Sequence, residues 1–217
     1  MIITGLSDIH GKTNRLNRLA EFSKEDVILL VGDITHFGRK EAAAKVMAAL
    51  GGTAARILAV PGNCDHPEVG AYLTDSGINL HGKHHVIGGI AFIGIGASLP
   101  TPFNTPYEMG EEAFERVLAC AVEGLADEIP KVLVSHQPPS ATLCDRLHNG
   151  QHVGSHAVRR FIERYKPLVC FTGHIHESAA IDHIGKTPII NPGPLDSGRY
   201  AQATVEQSLK NLDIIKL

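Results

Sequence analysis

Short apolar runs, each stopping at a polar residue, give this chain its pattern. Val27-Ile28-Leu29-Leu30-Val31 has no polar alternation, which predicts a strand buried on both faces, and it stops at Gly32-Asp33. Four further runs repeat the design. Ile2-Ile3-Thr4-Gly5-Leu6-Ser7 leads into Asp8 and His10, and residues 56–60 lead into Pro61-Gly62-Asn63. Residues 132–135 lead into His136, and residues 168–172 lead into Gly173-His174-Ile175-His176. Ligands of open α/β sheets gather beyond the carboxyl ends of strands, so these five ends are expected to converge.

Helical spacing separates the runs. Residues 13–21, with Leu16, Leu19, Ala20 and the adjoining Phe22, predict a crossover helix. The alanine-rich stretch 39–50 predicts another, stopped by Gly51-Gly52. The resulting order, strand-helix-strand-helix-strand up to Val60, is that of a parallel sheet with right-handed crossovers. Residues 67–75 predict a short helix with Pro67 in its first turn. Residues 78–80, 85–87 and 90–95 are β-like, the last two joined by the hairpin signal Gly88-Gly89. An irregular loop over 99–107, an amphipathic helix over 108–123, a long polar loop over 137–154 and a helix over 157–165 follow. The tail predicts strands at 179–184, 187–191, 200–205 and 212–215. Nothing marks a linker or a repeat, so the expectation is one α/β domain over residues 1–217. It has two sheets, the first parallel-leaning and the second built partly from the C-terminal hairpins.

Composition narrows the function. A chain of 217 residues, 43% hydrophobic, can bury a large core unaided. A net charge of −3 offers no basic footprint for nucleic acid or an anionic membrane. There is no apolar run of the roughly 18 residues a membrane span needs, and Met1 leads directly into a strand rather than a signal peptide. Four cysteines without scaffold spacing place the protein in a reducing cytoplasm. Thirteen histidines are the compositional oddity, and imidazole is the commonest metal ligand.

A carboxylate at the mouth of an apolar strand is costly unless paired with a cation. Asp8, Asp33, His10, His136, His174 and His176 offer carboxylate and imidazole, and Asn63 an amide oxygen. Such a thiolate-free set suits Mn, Fe, Ni, Co or Zn and argues against a structural zinc site. The set is too large for one tetrahedral ion but fits two ions sharing a carboxylate, and Asp33, on the central run, is the natural bridge.

The blocks Asp8-Ile9-His10, Gly32-Asp33, Gly62-Asn63-Cys64-Asp65, Ser135-His136 and Gly173-His174-Ile175-His176 resemble, in order, those of the calcineurin-like metallophosphoesterases. The resemblance runs from residue 7 to about residue 194. It implies a four-layer α/β/β/α sandwich of two mixed sheets flanked by helices, with a dinuclear centre between the strand ends. It assigns Asp8, His10 and His176 to one metal and Asn63, His136 and His174 to the other, with Asp33 bridging. Manganese is the first ion expected, and the implied reaction is P–O hydrolysis of a small phosphoester by a metal-bridging hydroxide.

One position departs from the pattern. Many members carry histidine after the asparagine, where this chain has Cys64, a poor proton donor. Small phosphodiesterase-like members also carry Gly-Asn-Cys-Asp, so the resemblance leans to phosphodiesters or activated esters over alkyl monoesters. His66 is a candidate replacement donor, and Cys64 is open between packing and substrate contact. Asp65 is a candidate catalytic carboxylate, either orienting an imidazole or capping a helix. His36 and His152 follow strands in loops and are substrate-side candidates, while His81, His84 and His85 read as surface residues. The rivals are a catalytically weak or inactive member acting as a protein-binding scaffold, and a nuclease. A homodimer is the default assembly.

Overall fold

The computed structural model describes residues 1–16, 26–51 and 53–217. Its first sheet begins with three parallel strands, β1 (Ile2–Leu6), β2 (Val27–Val31) and β3 (Arg56–Val60). Helix α1 (Lys40–Ala49) joins β2 to β3, and α2 (Pro67–Asp75) follows β3. The second sheet takes β4 (Lys83–Ile87) and β5 (Ile90–Ile95), joined by Gly88-Gly89 at positive φ. Helix α3 (Glu111–Ala121) then leads to β6 (Lys131–Ser135), and α4 (His156–Tyr165) to β7 (Val169–Thr172). Four strands finish the chain: β8 (Ala180–Ile184), β9 (Thr187–Asn191), β10 (Arg199–Val205) and β11 (Leu209–Lys216). The sheet orders are β11-β10-β1-β2-β3 and β4-β5-β6-β7-β9-β8. Both are mixed: β10 is antiparallel to β1 and β11, and β4 and β8 run antiparallel at the two edges of the second.

Alternation along each buried strand produces the layers. In β2, Val27, Leu29 and Val31 face the second sheet and pack with Val132, Val134, Val169 and Phe171. Ile28 and Leu30 face outward onto Ala43 and Val46 of α1 and Val69 and Leu73 of α2. On the other side, Leu133 and Cys170 meet Phe114 and Leu118 of α3 and Val158 and Ile162 of α4. The result is an α/β/β/α sandwich whose central strands are apolar on both faces because both faces are covered.

Several expectations change in detail. Residues 78–80 form only an isolated bridge to Ala59, since that stretch runs beside β3 for too short a distance to extend the sheet. The C-terminal hairpins divide between the sheets: β8–β9 joins the second, but β10–β11 joins the first through pairs such as Ile3↔Ala203. The helix expected over 13–21 opens with a 3-10 turn, Thr13–Arg15, and the rest lies largely outside the described residues, as does Gly52. The helix expected from residue 108 starts at Glu111, because Glu108 is held by the preceding loop. No helix among the described residues is long and apolar enough to cross a membrane.

Gly5 of β1 lets the sheets approach, since a Cβ there would lie 2.6 Å from Phe171 Cδ1 of the facing sheet. Gly5→Ala is therefore expected to lower unfolding free energy by about 1–3 kcal/mol through overpacking. Phe171→Ala should cost about 3–5 kcal/mol through the cavity it leaves. Urea denaturation checks both.

Candidate metal centre

The chain reverses sharply where these strands end. Asp8, His10, Asp33 and His174 all lie at positive φ, between 47° and 67°, a region ordinarily left to glycine and costing about 1–3 kcal/mol per residue. Backbone bonds across the strand ends hold them there: Asp8 N–H donates to Gly32 O at 3.2 Å and His10 N–H to Asp33 O at 2.8 Å. Two glycines make room. A Cβ on Gly32, itself at φ +83°, would lie 2.2 Å from His136 Nδ1, and one on Gly62 would lie 2.1 Å from both the amide nitrogen and Oδ1 of Asp33.

Asp8, His10, Asp33, Asn63, His136, His174 and His176 are brought together from both sheets. Asp33 lies between two subsets, with Oδ2 3.6 Å from His10 Nε2 and Oδ1 3.4 Å from His136 Nε2. On the first side His10 Nε2 is 3.2 Å from His176 Nε2, which is 3.3 Å from Asp8 Oδ1. On the second, His136 Nε2 is 3.0 Å from Asn63 Oδ1, and the His174 ring centre is 5.2 Å from that of His136. His136 Nδ1 donates to Val31 O at 2.9 Å, so its proton is committed there and Nε2 presents a lone pair. Asp8 accepts from the Ser7 hydroxyl and the His174 amide.

Electron pairs thus converge with too few protons between them. Burial holds His10 down at about 4 and His174 at about 3, so both rings are neutral near pH 7. Burial, with the charges of Asp8 and Asp65, lifts Asp33 to about 6. Burial also pushes Asp8 upward, but the His176 hydrogen bond and charge, with the Ser7 hydrogen bond, outweigh it and leave Asp8 low; the same bond raises His176. Imidazoles, carboxylates and an amide oxygen aimed at common points are a donor set for divalent cations without thiolate. The residues present fit such ions.

The remaining candidates are differently placed. Asp65 is fully buried, and its carboxylate accepts from the amides of Gly62, Ile34 and Thr35 and from the Thr35 hydroxyl at 2.7–3.1 Å. It clamps the loops after β2 and β3 rather than orienting an imidazole. Cys64 lies against the centre, its Sγ within 4.8 Å of ligand atoms of His10 and Asp33. Burial and the Asp33 charge keep it a protonated thiol. His36 packs edge-on against His10 at 5.5 Å between ring centres. His66 caps α2, its amide donating to Gly38 O and its carbonyl accepting from Val69. His152 donates from Nδ1 to buried Asp145 at 2.7 Å and stiffens the 137–154 loop. His81, expected at the surface, is half-buried, accepts from Gly96 N–H and contacts the Tyr107 hydroxyl at 3.1 Å.

A cavity of about 330 Å³ opens beside Asp8, His10 and His176 and is closed by Lys12, Pro194, Asp196 and Ser197. Lys12 and Asp196, paired at 2.8 Å, went unrecognised in the sequence, although Lys12 directly follows Asp8-Ile9-His10-Gly11. A larger cavity, about 560 Å³, lies against Asn79, His84 and Cys120 and includes no residue of the centre. The donor chemistry, not the volume, locates the site.

Comparison with known proteins gives a consistent picture. The family model described as calcineurin-like phosphoesterase matches residues 1–178. The uncharacterized protein MJ1162 of Methanocaldococcus jannaschii is 41% identical over 199 residues, covering 89% of this chain and 88% of that protein. The crystal structure of TT1561 of Thermus thermophilus superposes with a TM-score of 0.76 at 21% identity, over 99% of this chain and 98% of that one. GAP50, titled the anchor in the inner membrane complex of Plasmodium, superposes with a TM-score of 0.60 at 12% identity, over 100% of this chain and 84% of its own. At such identities these two structures show a shared fold alone.

Gly32→Ala is expected to drive His136 off Val31, lowering bound manganese per chain and unfolding free energy together, the latter by about 1–3 kcal/mol. Metal analysis after dialysis and thermal denaturation measure the two losses. Because Asp33 must give up its proton to bind a cation, manganese affinity should weaken as pH falls through about 6. Calorimetric titration on either side of that pH tests the sign.

Proposed function

The chain belongs to the calcineurin-like phosphoesterase family, and on that premise we propose that it is a metal-dependent phosphodiesterase taking two divalent cations. The observation that carries this reading is Asp33, whose two carboxylate oxygens face different imidazoles, Oδ2 toward His10 and Oδ1 toward His136. Asp8, His10 and His176 would hold one ion and Asn63, His136 and His174 the other, with Asp33 common to both. When bound, such a pair supplies Lewis acidity toward phosphoryl oxygens and lowers the pKa of a water.

The chain's own groups account for the rest. His136, with its proton given to Val31, keeps a fixed ring orientation. Ser7 and the His174 amide hold the Asp8 carboxylate in place. A substrate reaching Asp8, His10 and His176 through the neighbouring cavity meets the Lys12 ammonium, which suits a small anionic ester. Where an imidazole would protonate a leaving group, Cys64 offers a thiol, a weak donor. That favours esters whose leaving group departs readily, hence diesters and aryl esters over alkyl monoesters. His36, edge-on to His10, takes the substrate side, and His66, the N-cap of α2 two residues beyond Cys64, is the alternative donor. The whole chain, residues 1–217, is taken as one catalytic unit. Four free thiols fit a cytoplasmic setting.

A purely protein-binding scaffold would leave the converging donors of both sheets without a use, and the net charge of −3 supplies no footprint for a polynucleotide.

The test is turnover in manganese of an aryl phosphodiester, a cyclic nucleotide and an alkyl phosphomonoester. Diesters are expected to be hydrolysed, Asp33→Asn to abolish turnover, and His36→Ala to slow alkyl diesters by about 10²-fold while sparing aryl ones. Turnover of monoesters alone would sink the diesterase reading, and none with any ester would sink the enzymatic one.

A further inference from the structure

An asparagine side chain has nearly the same shape whichever way its amide is turned, yet only its oxygen can face a cation. A fold that uses Asn63 as a ligand therefore has to choose one end of the amide. The Nδ2 end has two acceptors, Cys64 Sγ at 3.6 Å and, in the irregular loop over 99–107, the Thr105 hydroxyl at 3.0 Å.

Glu108 Oε1 accepts from the Thr101 hydroxyl at 2.7 Å, the Thr105 amide at 2.8 Å and the Thr105 hydroxyl at 2.6 Å. Although slight burial works the other way, these hydrogen bonds hold the Glu108 carboxyl below its ordinary range, so it is ionised and only accepts. Among the described residues it makes no ion pair. The Thr105 hydroxyl has one proton, and Glu108 takes it. Its oxygen is left to accept, and 3.0 Å away Asn63 Nδ2 donates to it. With Nδ2 turned to the loop, Asn63 Oδ1 is turned to the centre, 3.0 Å from His136 Nε2, which has no proton to offer. The Tyr107 backbone amide donates to the Asn63 backbone carbonyl at 3.1 Å, and half-buried His81 contacts the Tyr107 hydroxyl. The loop is thereby anchored on both sides of Thr105.

We infer that Glu108 and Thr105 are positioning residues that set the amide of Asn63 with its oxygen toward the centre; the inference rests on the reading of Asn63 as a cation ligand. Neither touches a cation or substrate. They act through a relay that runs Glu108 to Thr105 to Asn63, joining residues 42 apart in sequence at its inner link.

Manganese titration calorimetry on the metal-stripped full chain tests it. Thr105→Val, which keeps the shape but loses the hydroxyl, should weaken one of two manganese sites about 10- to 100-fold. Thr105→Ser should bind as the parent does. Glu108→Ala, freeing the Thr105 proton, should weaken the same site. The melting temperature of the metal-stripped protein should stay put in Thr105→Ser, and the manganese loss in Thr105→Val and Glu108→Ala should persist well below their own melting temperatures, where a loop that merely packs would bind as the parent does. In an Asn63→Asp background, which has no amide N–H to place, Thr105→Val should add no further loss. Parent-like manganese binding by Thr105→Val, equal losses in Thr105→Ser, or an undiminished loss in the Asn63→Asp background would each overturn the inference. Asn63→Ala separates the two levels. If it binds manganese like the parent, the ligand reading falls and the inference with it; if it loses a site that Thr105→Val keeps, only the inference falls.

Discussion

The centre depends on the hydrogen bond that His136 makes across the sandwich to the carbonyl of Val31. It ties the end of β6 in one sheet to the end of β2 in the other, and it does so at the bare backbone of Gly32, where a methyl group would collide with the ring. One contact thus sets the spacing of the two sheets at their carboxyl ends, the tautomer of an imidazole and the place of Asp33. Asp33 follows immediately in sequence and cannot move independently of Gly32. The reach of the other sheet toward it is set by the same bond.

Around that bond the fold works against two costs. The first is conformational, since Asp8, His10, Asp33 and His174 occupy left-handed backbone. Bonds among the strand-end loops hold them there, the Asp65 clamp across the loops after β2 and β3 included. The second is electrostatic. Burying two carboxylates beside neutral imidazoles is unfavourable in an apolar sandwich unless positive charge joins them. The lifted proton affinity of Asp33 and the lowered ones of His10 and His174 are two sides of that frustration.

Much of this was readable from the chain alone. The apolar runs of β1, β2, β3, β6 and β7 declared themselves as doubly covered strands, and the polar residue ending each one is a member of the centre. The Gly88-Gly89 hairpin and α2 were marked by glycine and proline chemistry that acts within a few residues. These features are local, because side-chain periodicity reports how a segment is buried without reference to its partner. The five ordered blocks carried the resemblance to a family that the matching family model then showed.

What stayed hidden depends on which distant groups meet. Asp65, a plausible partner for an imidazole, turned out to bind four donors of the two neighbouring loops. His81, in a stretch that looked exposed, is half-buried against Tyr107. The β10–β11 hairpin chose the first sheet because the edge of β1 was open to it, a fact invisible in its own residues. Thr105 and Glu108 sit in a loop with no periodicity at all. The sequence by itself determined the strands, the donors at their ends and the chemistry those donors permit, since these follow from residue type and short-range pattern. Only the tertiary structure decided which oxygen faces which ring, because that is settled by strand register and loop path between residues tens of positions apart.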